Sequence, residues 1–294
     1  NTMKGFISGN VPHLKELFSI ITIIFSIYAV IIALLLFYLG VGDIFDDFAI
    51  AFSALSTGGT SPDSKIFDNF TTPQYLVVIS GMILGALPFG FHYSFVRTKF
   101  LSISLTKEVI AYFVMLSVFC IIFIFSRNAN WLDSIFNIVS ASTTTGFATM
   151  SFEKSSPIIF SITIIAMIIG GCGFSTAGGI KILRLTQLAK VRHIFNKKSK
   201  ISVSDKKDII SGIIILAPLL IMPLLVATYL SYAGYDFQNA FFDGVSAITG
   251  TGHSAGTISF ALDPFITVIF GIMMILGKAE IVLLVYIFVP KLMK

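Results

Sequence analysis

Three short segments of this chain repeat one pattern of small and hydroxyl residues. They are Ser53-Ala54-Leu55-Ser56-Thr57-Gly58-Gly59, Ser140-Ala141-Ser142-Thr143-Thr144-Thr145-Gly146 and Ser246-Ala247-Ile248-Thr249-Gly250-Thr251-Gly252. They align without gaps, and each follows a short, Phe-containing apolar stretch. Thr and Gly are poor helix formers. Gly also permits backbone angles that turn carbonyls toward a common axis. Rings of such carbonyls can replace the hydration shell of a potassium ion. A short helix aimed inward by its C-terminal end adds partial negative charge at the same place. One Thr-Gly turn would carry no weight. Three in register, each between long apolar segments, point to backbone oxygens coordinating a cation.

Other chemistry is poorly provided for. No residue set resembles a nucleophile–base pair, and the four His lack metal-ligand spacing, so neither an enzyme nor a resident metal or cofactor is expected. The two Cys both lie inside apolar runs, which excludes a disulfide framework and a Cys-based zinc site. The chain has 294 residues, of which 55% are hydrophobic and only 12% charged. Its mean hydropathy is +0.92. That balance excludes a soluble cytosolic enzyme, a disordered chain and a nucleic-acid-binding domain, despite a formal charge of +5. The class is a polytopic membrane protein, with lipid as its first partner.

The elements that must hold the repeats follow from hydropathy. A helical span needs about 20 mostly apolar residues. Six segments qualify: Leu17–Leu39, Pro73–Val96, Val109–Ser126, Pro157–Gly179, Ile209–Tyr232 and Pro264–Pro290. Between them, near Phe45–Leu55, Trp131–Ser142 and Phe237–Ile248, lie apolar stretches too short to cross. These are either interfacial helices or re-entrant half-helices. The repeating unit is therefore span, short helix, Thr/Gly strand, span. Sixteen of the twenty Lys and Arg fall on one side of this arrangement, nine of them within 181–208. Ten of the fifteen acids, including Asp47, Asp133, Glu153 and Asp243, fall on the other. The positive-inside rule places both ends and the 181–208 loop in the cytoplasm. The outer acids either concentrate cations or simply solubilise loops.

Two further stretches stand out. The run Gly170-Gly171-Cys172-Gly173-Phe174-Ser175-Thr176-Ala177-Gly178-Gly179 should break the fourth span. The other reading is a Gly-rich seam where helices pack. Lys278 lies inside the last span, where an ionisable residue is costly and marks a functional position by default. Glu280, two residues on, does not share its helix face and is expected to meet another helix.

With these residues in view, the chain resembles the pore subunit of the Trk/Ktr/HKT superfamily of potassium transporters, and most closely the bacterial and archaeal Trk type. The resemblance covers nearly the whole sequence. It implies an all-α membrane protein built from span–pore helix–span repeats of the potassium-channel type around a pseudo-fourfold pore. By motif, three of the four repeats are present, with residues 1–100, 101–200 and 201–294 as the second, third and fourth. The first would lie N-terminal of Asn1, so the chain reads as a fragment in preference to a pore completed by another chain. The filter would then be Thr57, Gly58 and Gly59, with Thr144, Thr145 and Gly146, and with Gly250, Thr251 and Gly252.

The same resemblance implies a gate formed by Gly170, Gly171, Gly173, Ser175, Thr176, Gly178 and Gly179, together with Lys278 as a cationic barrier below the filter. Gly277-Lys278-Ala279-Glu280 has Lys where the family usually has Arg, which loses the planar fork and keeps the charge. An aromatic commonly follows the filter Gly in the family's second and third repeats; Phe147 keeps it and Thr60 does not. The last filter often reads Gly-Pro-Gly, against Gly252-His253-Ser254 here. His253 either makes transport pH-sensitive or, the preferred reading, is a solvated mouth residue. The implied activity is potassium uptake across a prokaryotic plasma membrane, with K+ as the transported ion and either channel-like or ion-coupled conduction. The implied partners are a second copy and a cytosolic nucleotide-binding ring docking on the basic 181–208 loop, which can also meet anionic lipid. Rival readings are a sodium or mixed transporter of the same fold, a non-conducting regulatory subunit and, least supported, an intramembrane enzyme.

Overall fold

The short apolar stretches prove to be helices, and each nests between its neighbours. The computed structural model describes residues 12–63, 66–67, 69–97, 103–127, 130–153, 155–188, 203–258 and 263–278. Its helices are α1 (Pro12–Tyr38), α2 (Ile44–Leu55), α3 (Thr72–Ala86), α4 (Phe89–Arg97), α5 (Ile103–Arg127), α6 (Trp131–Ser142), α7 (Pro157–Ile169), α8 (Ile182–Leu188), α9 (Val203–Tyr232), α10 (Phe237–Thr249) and α11 (Pro264–Lys278). Among the described residues no strand forms. The short helices α2, α6 and α10 each pack against the long helices on either side of them in the chain. Neighbouring units then meet through α3 against α6 and through α7 against α10.

Local sequence explains the helix starts on the acidic side. Thr71 and Gln74 form a capping box at α3, with Pro73 in the first turn. The Ser156 hydroxyl accepts from the Ile159 N–H at α7. Asn130 and Asp236 side chains accept the first N–H groups of α6 and α10. Asp46 and Asp47 occupy the first turn of α2, where the helix dipole favours them. The buried residues of α2 concentrate toward its C-terminal half, and those of α6 and α10 run to their ends. A helix lying on the membrane surface would bury one side along its whole length. Burial by the far end fits an element that dives between spans, so the interfacial reading falls.

Two of the expected spans differ from straight helices. The Pro73–Val96 segment breaks at Leu87-Pro88, and its two helices are bent by 102°. Pro88 has no N–H to continue the ladder and restricts Leu87 to extended geometry, as observed at ψ 153°. The Pro157–Gly179 segment stops at Ile169, where Gly170 takes a φ of 69°. By length and apolarity, Phe18–Tyr38 and Lys107–Ser126 can cross a membrane as single helices. In α9 the helix continues through Pro218 and Pro223. The part of the last expected span beyond Lys278, with Glu280, lies outside the described residues, as do 189–202 of the basic loop.

An aromatic cluster joins the first two units. Phe136 is fully buried, with ring centroids 5.1 Å from Tyr75, 5.3 Å from Phe67 and 6.4 Å from Phe147. Phe67 and Phe147 approach to 4.7 Å. Phe136→Ala should therefore lower unfolding free energy by about 3 kcal/mol, the usual cost of emptying a large buried ring site. Thermal melting in detergent checks this; an unchanged midpoint would remove the cluster as a tie between the units.

Candidate ion path: three strands, a loop and a lysine

The three repeated segments share one backbone. Thr57, Thr144 and Gly250 occupy the same register position, and their φ values are 52°, 54° and 69°. Two residues on, Gly59, Gly146 and Gly252 have φ of 68°, 97° and 94°. Left-handed residues at alternate positions untwist a strand and let successive carbonyls face one side. A left-handed Thr is strained, so two of them at equivalent positions mark a conformation imposed by the surroundings. Among the described residues, no N–H or hydroxyl donates to the carbonyls of 57–59, 144–146 or 250–252. Thr57, Thr144, Thr145 and Thr251 are themselves buried. Buried carbonyls without donors cost free energy unless a cation or water meets them.

The strands lie side by side. A Cβ added to Gly59 would land on the Thr145 carbonyl oxygen, and one added to Gly146 would land on that of Thr251. Only Gly tolerates both this approach and the positive φ. The Gly146 strand is thus flanked by the other two.

Behind each strand, its own short helix presents side chains one turn apart. On α6 these are Asn137, Ser140 and Thr143; on α10 they are Asp243, Ser246 and Thr249. The Ser140 and Ser246 hydroxyls each accept, at 3.0 Å, the N–H of the filter Gly six residues on. Thr143 lies 2.7 Å from the Thr145 hydroxyl, and Thr249 lies 2.8 Å from that of Thr251. The Asn137 amide holds Thr149, accepting from its N–H at 3.1 Å and donating to its hydroxyl at 2.6 Å. Asp243 does more, accepting from Ala255 N at 2.6 Å, Thr257 N at 2.9 Å, Ile258 N at 3.1 Å and the Ser254 hydroxyl at 3.2 Å. In the first unit the register places Ile50, Ser53 and Ser56, and among the described residues only a 3.4 Å contact from Thr60 to the Ser53 hydroxyl reaches across.

His253 departs from expectation. It is 2% exposed, with its ring 4.8 Å from that of Phe152, so it is not a solvated mouth residue. The reason is the strand's period of two: Thr251, His253, Ala255 and Thr257 are buried, while Gly252, Ser254, Gly256 and Ile258 are open. His253 sits where Phe147 sits in the preceding unit and packs as an aromatic. Asp47 and Asp243 are likewise fully buried, and so are not loop-solubilising charges.

The Gly170–Gly179 run is irregular backbone, which disposes of the helix-seam reading. It folds across the inner ends of the short helices. Thr176 Oγ1 lies 2.8 Å from the Gly85 carbonyl and 3.3 Å from that of Leu55, the last residue of α2. Thr57 Oγ1 lies 3.3 Å from Thr176 Oγ1. Gly178 N donates to Thr144 Oγ1 at 2.6 Å, and a Cβ on Gly178 would strike the Thr249 carbonyl. Within the run, Gly170 packs against Gly178 and Gly179, the Gly171 carbonyl accepts from Ile182 N at 3.0 Å, and Ser175 donates to the Cys172 carbonyl at 2.6 Å. Irregular backbone at membrane depth is tolerated where it is buried in protein or lines a cavity.

Lys278 reaches the same region. Its Cε would lie 3.3 Å from a Cβ on Gly250, and Gly277 abuts the Ile248 carbonyl. Sequence reasoning missed Glu108, which is buried at the start of α5 and accepts from Gly173 N at 2.6 Å. It stands beside Lys107 at the edge of an apolar run, and no local signal there separates a buried acid from a solvated one. Asp243 was placed only among the outer acids, although its register match to Asn137 was available.

Ser246→Ala would leave the Gly252 N–H without its acceptor, at a cost of about 1–3 kcal/mol. Melting of the purified protein should fall accordingly, and Ser140→Ala should behave alike through Gly146. Equal stability of both variants to wild type would show that these bonds do not hold the strands.

Comparison with known proteins gives the family. Residues 125–293 match the family model described as TrkH, cation transport protein. An uncharacterized cation transporter of Methanocaldococcus jannaschii is 26% identical over 278 residues, covering 90% of this chain and 58% of that protein. The Trk system potassium uptake protein TrkH of Escherichia coli K12 is 25% identical over 190 residues, covering 61% of this chain and 39% of its own length. The chain thus spans about half the length of these relatives. The crystal structure of the potassium transporter TrkH from Vibrio parahaemolyticus superposes with a TM-score of 0.79 at 17% identity, covering 99% of this chain and 67% of that one. With a family match over more than half its residues and the same all-helical membrane fold, the chain belongs to the TrkH family of cation transport proteins.

Proposed function

We propose that this chain forms part of the ion path of a potassium uptake transporter, in the role of a Trk-type pore subunit. One observation carries the reading: three adjacent strands repeat a left-handed Thr/Gly backbone whose carbonyls have no donor among the described residues. A dehydrated monovalent cation is the ligand such carbonyls suit. Short helices ending at the strands add partial negative charge there. Potassium as the ion is supported by the relative in Escherichia coli, which is named a potassium uptake protein.

In this reading the ion sheds water and passes Gly59, Gly146 and Gly252. It next meets the 170–179 loop, which acts as the gate, and then Lys278, which acts as a cationic barrier. The charge asymmetry supports a cytoplasmic basic face at 181–208, on which a cytosolic regulatory ring would dock. A pair of such pores on one ring is the assembly that accompanies it.

Gly146→Ser in the native full-length gene product tests the filter. Its side chain would strike the neighbouring strand at Thr251. Potassium uptake or its selectivity over sodium should fall by roughly tenfold or more, as expected when a close-packed coordination site is displaced. Uptake and selectivity equal to wild type at equal expression would sink the filter assignment. Lys278→Ala should raise potassium flux by removing a positive charge that ions must pass. Flux unchanged by that substitution would take Lys278 out of the path.

A further inference from the structure

We propose that Asp243 is a positioning residue for ion selectivity, acting through the strand that leaves the third filter segment. The proposal rests on the filter reading above. Asp243 is fully buried on α10, and its carboxylate is turned to the strand that follows Gly252. Its two oxygens take four hydrogen bonds, all from residues 254–258. Oδ1 accepts from Ala255 N, and Oδ2 accepts from Thr257 N, Ile258 N and the Ser254 hydroxyl. Three of these donors are backbone N–H groups, so the bonds fix the course of the chain whatever side chains follow it. One turn further along the helix, Ser246 fixes Gly252 N. Together the two residues pin the strand immediately before and immediately after His253.

Chemistry explains why a carboxylate is needed here. Every partner donates, and a carboxylate offers only acceptors. An amide of the same size would turn its NH2 toward Thr257 N and Ile258 N, donor against donor, or sacrifice Ala255 N instead. Bonds to a charged acceptor are also about twice as strong as neutral ones. The other units show that this clamp is particular to the third strand. At the same register α6 carries Asn137, whose amide accepts one bond, from Thr149 N, and donates to the Thr149 hydroxyl and to the Asp133 carbonyl. The first unit has Ile50, which can make none. The third strand therefore depends on a buried charge for a geometry that the second holds with a neutral amide. Carbonyls must keep their spacing to favour one ion size over another. A strand freed from residue 254 onward would relax toward whichever spacing the ion imposes.

The test compares potassium and sodium uptake by cells expressing Asp243→Asn, Ser254→Ala and Gly252→Ser in the native full-length gene product, normalised to protein in the membrane. Asp243→Asn should lower the potassium-to-sodium uptake ratio by roughly tenfold, corresponding to the loss of one or two charge-assisted bonds. Ser254→Ala removes the bond donated to Asp243 and the one its hydroxyl accepts from Gly256 N, leaves the three backbone bonds to the carboxylate, and should shift the ratio the same way by about twofold. A reduced amount of transporter with an unchanged ratio is what a purely structural role gives, and overturns the proposal. If Asp243→Asn does not reach the membrane, Ser254→Ala decides, and a wild-type ratio there overturns it as well. Gly252→Ser separates the two readings. A changed ratio in Gly252→Ser with none in the other variants leaves the filter standing and removes Asp243 from selectivity. No change in all three removes the filter reading and the proposal with it.

Discussion

Peptide carbonyls that find no donor among the described residues are the constraint on which this structure turns. Such groups are costly, and a chain ordinarily avoids them by forming helices. Here three strands keep them, and the surrounding architecture is what makes that tolerable. Left-handed Thr57, Thr144 and Gly250 hold the strands out of helical geometry. Glycines let neighbouring strands approach until only a hydrogen fits between them. The short helices end at the strands, so they deliver partial negative charge and hydroxyl side chains to one place. Each feature alone would be unfavourable or neutral. In the proposed reading they become consistent around a cation, which meets the carbonyls in place of the donors they lack.

Much of this was legible in the sequence because it is periodic. The three short helices were visible as apolar stretches too short to cross, and the Thr/Gly repeats fixed their register. The Gly170 run announced a broken span. What stayed hidden depends on which way a side chain faces once the strand is built. His253 looked like a mouth residue because its neighbours in sequence are polar and small. The alternation that buries it begins only where the left-handed Gly252 sets the phase. Asp243 and Glu108 looked like ordinary charges at the edges of apolar segments. Both bond backbone N–H groups of segments brought to them only by the fold, Gly173 lying 65 residues from Glu108. The bend at Leu87-Pro88 was readable in principle from Pro88, but the hydropathy of the flanking residues runs straight through it.

The units are alike in backbone and unlike in support. The second and third strands each have three side chains behind them, one helical turn apart, ending in Asn137 and Asp243. The first has Ile50 at that position and an exposed Thr60 where the second has buried Phe147. Its outer part therefore lacks both the polar clamp and the aromatic plug. Its inner part is tied differently, through Thr57 to Thr176 of the loop. Repeats that diverge this way keep the carbonyl geometry while drawing its rigidity from different partners. A substitution at one register position should not be expected to have equal effects in all three.

That difference bears on how a loop beneath a filter can work. Thr57 and Thr144 are the left-handed residues at the inner end of their strands, and the hydroxyls of both meet the loop, at Thr176 and at Gly178 N. The third strand has Gly250 at this position, with no hydroxyl to offer, and the Lys278 stem lies against it instead. Moving the loop away must break the Gly178–Thr144 bond and the Thr57–Thr176 contact, and it leaves a buried N–H or hydroxyl to find new partners. The loop is held on its far side by Glu108 through Gly173 N, so a shift that satisfies one end disturbs the other. The loop is thus bonded at both faces, to the Thr/Gly strands on one side and to α5 on the other. If the loop gates the path as proposed, its opening cannot be a free swing of a glycine-rich segment. It has to exchange one set of buried hydrogen bonds for another, and two of the groups released belong to the Thr/Gly strands.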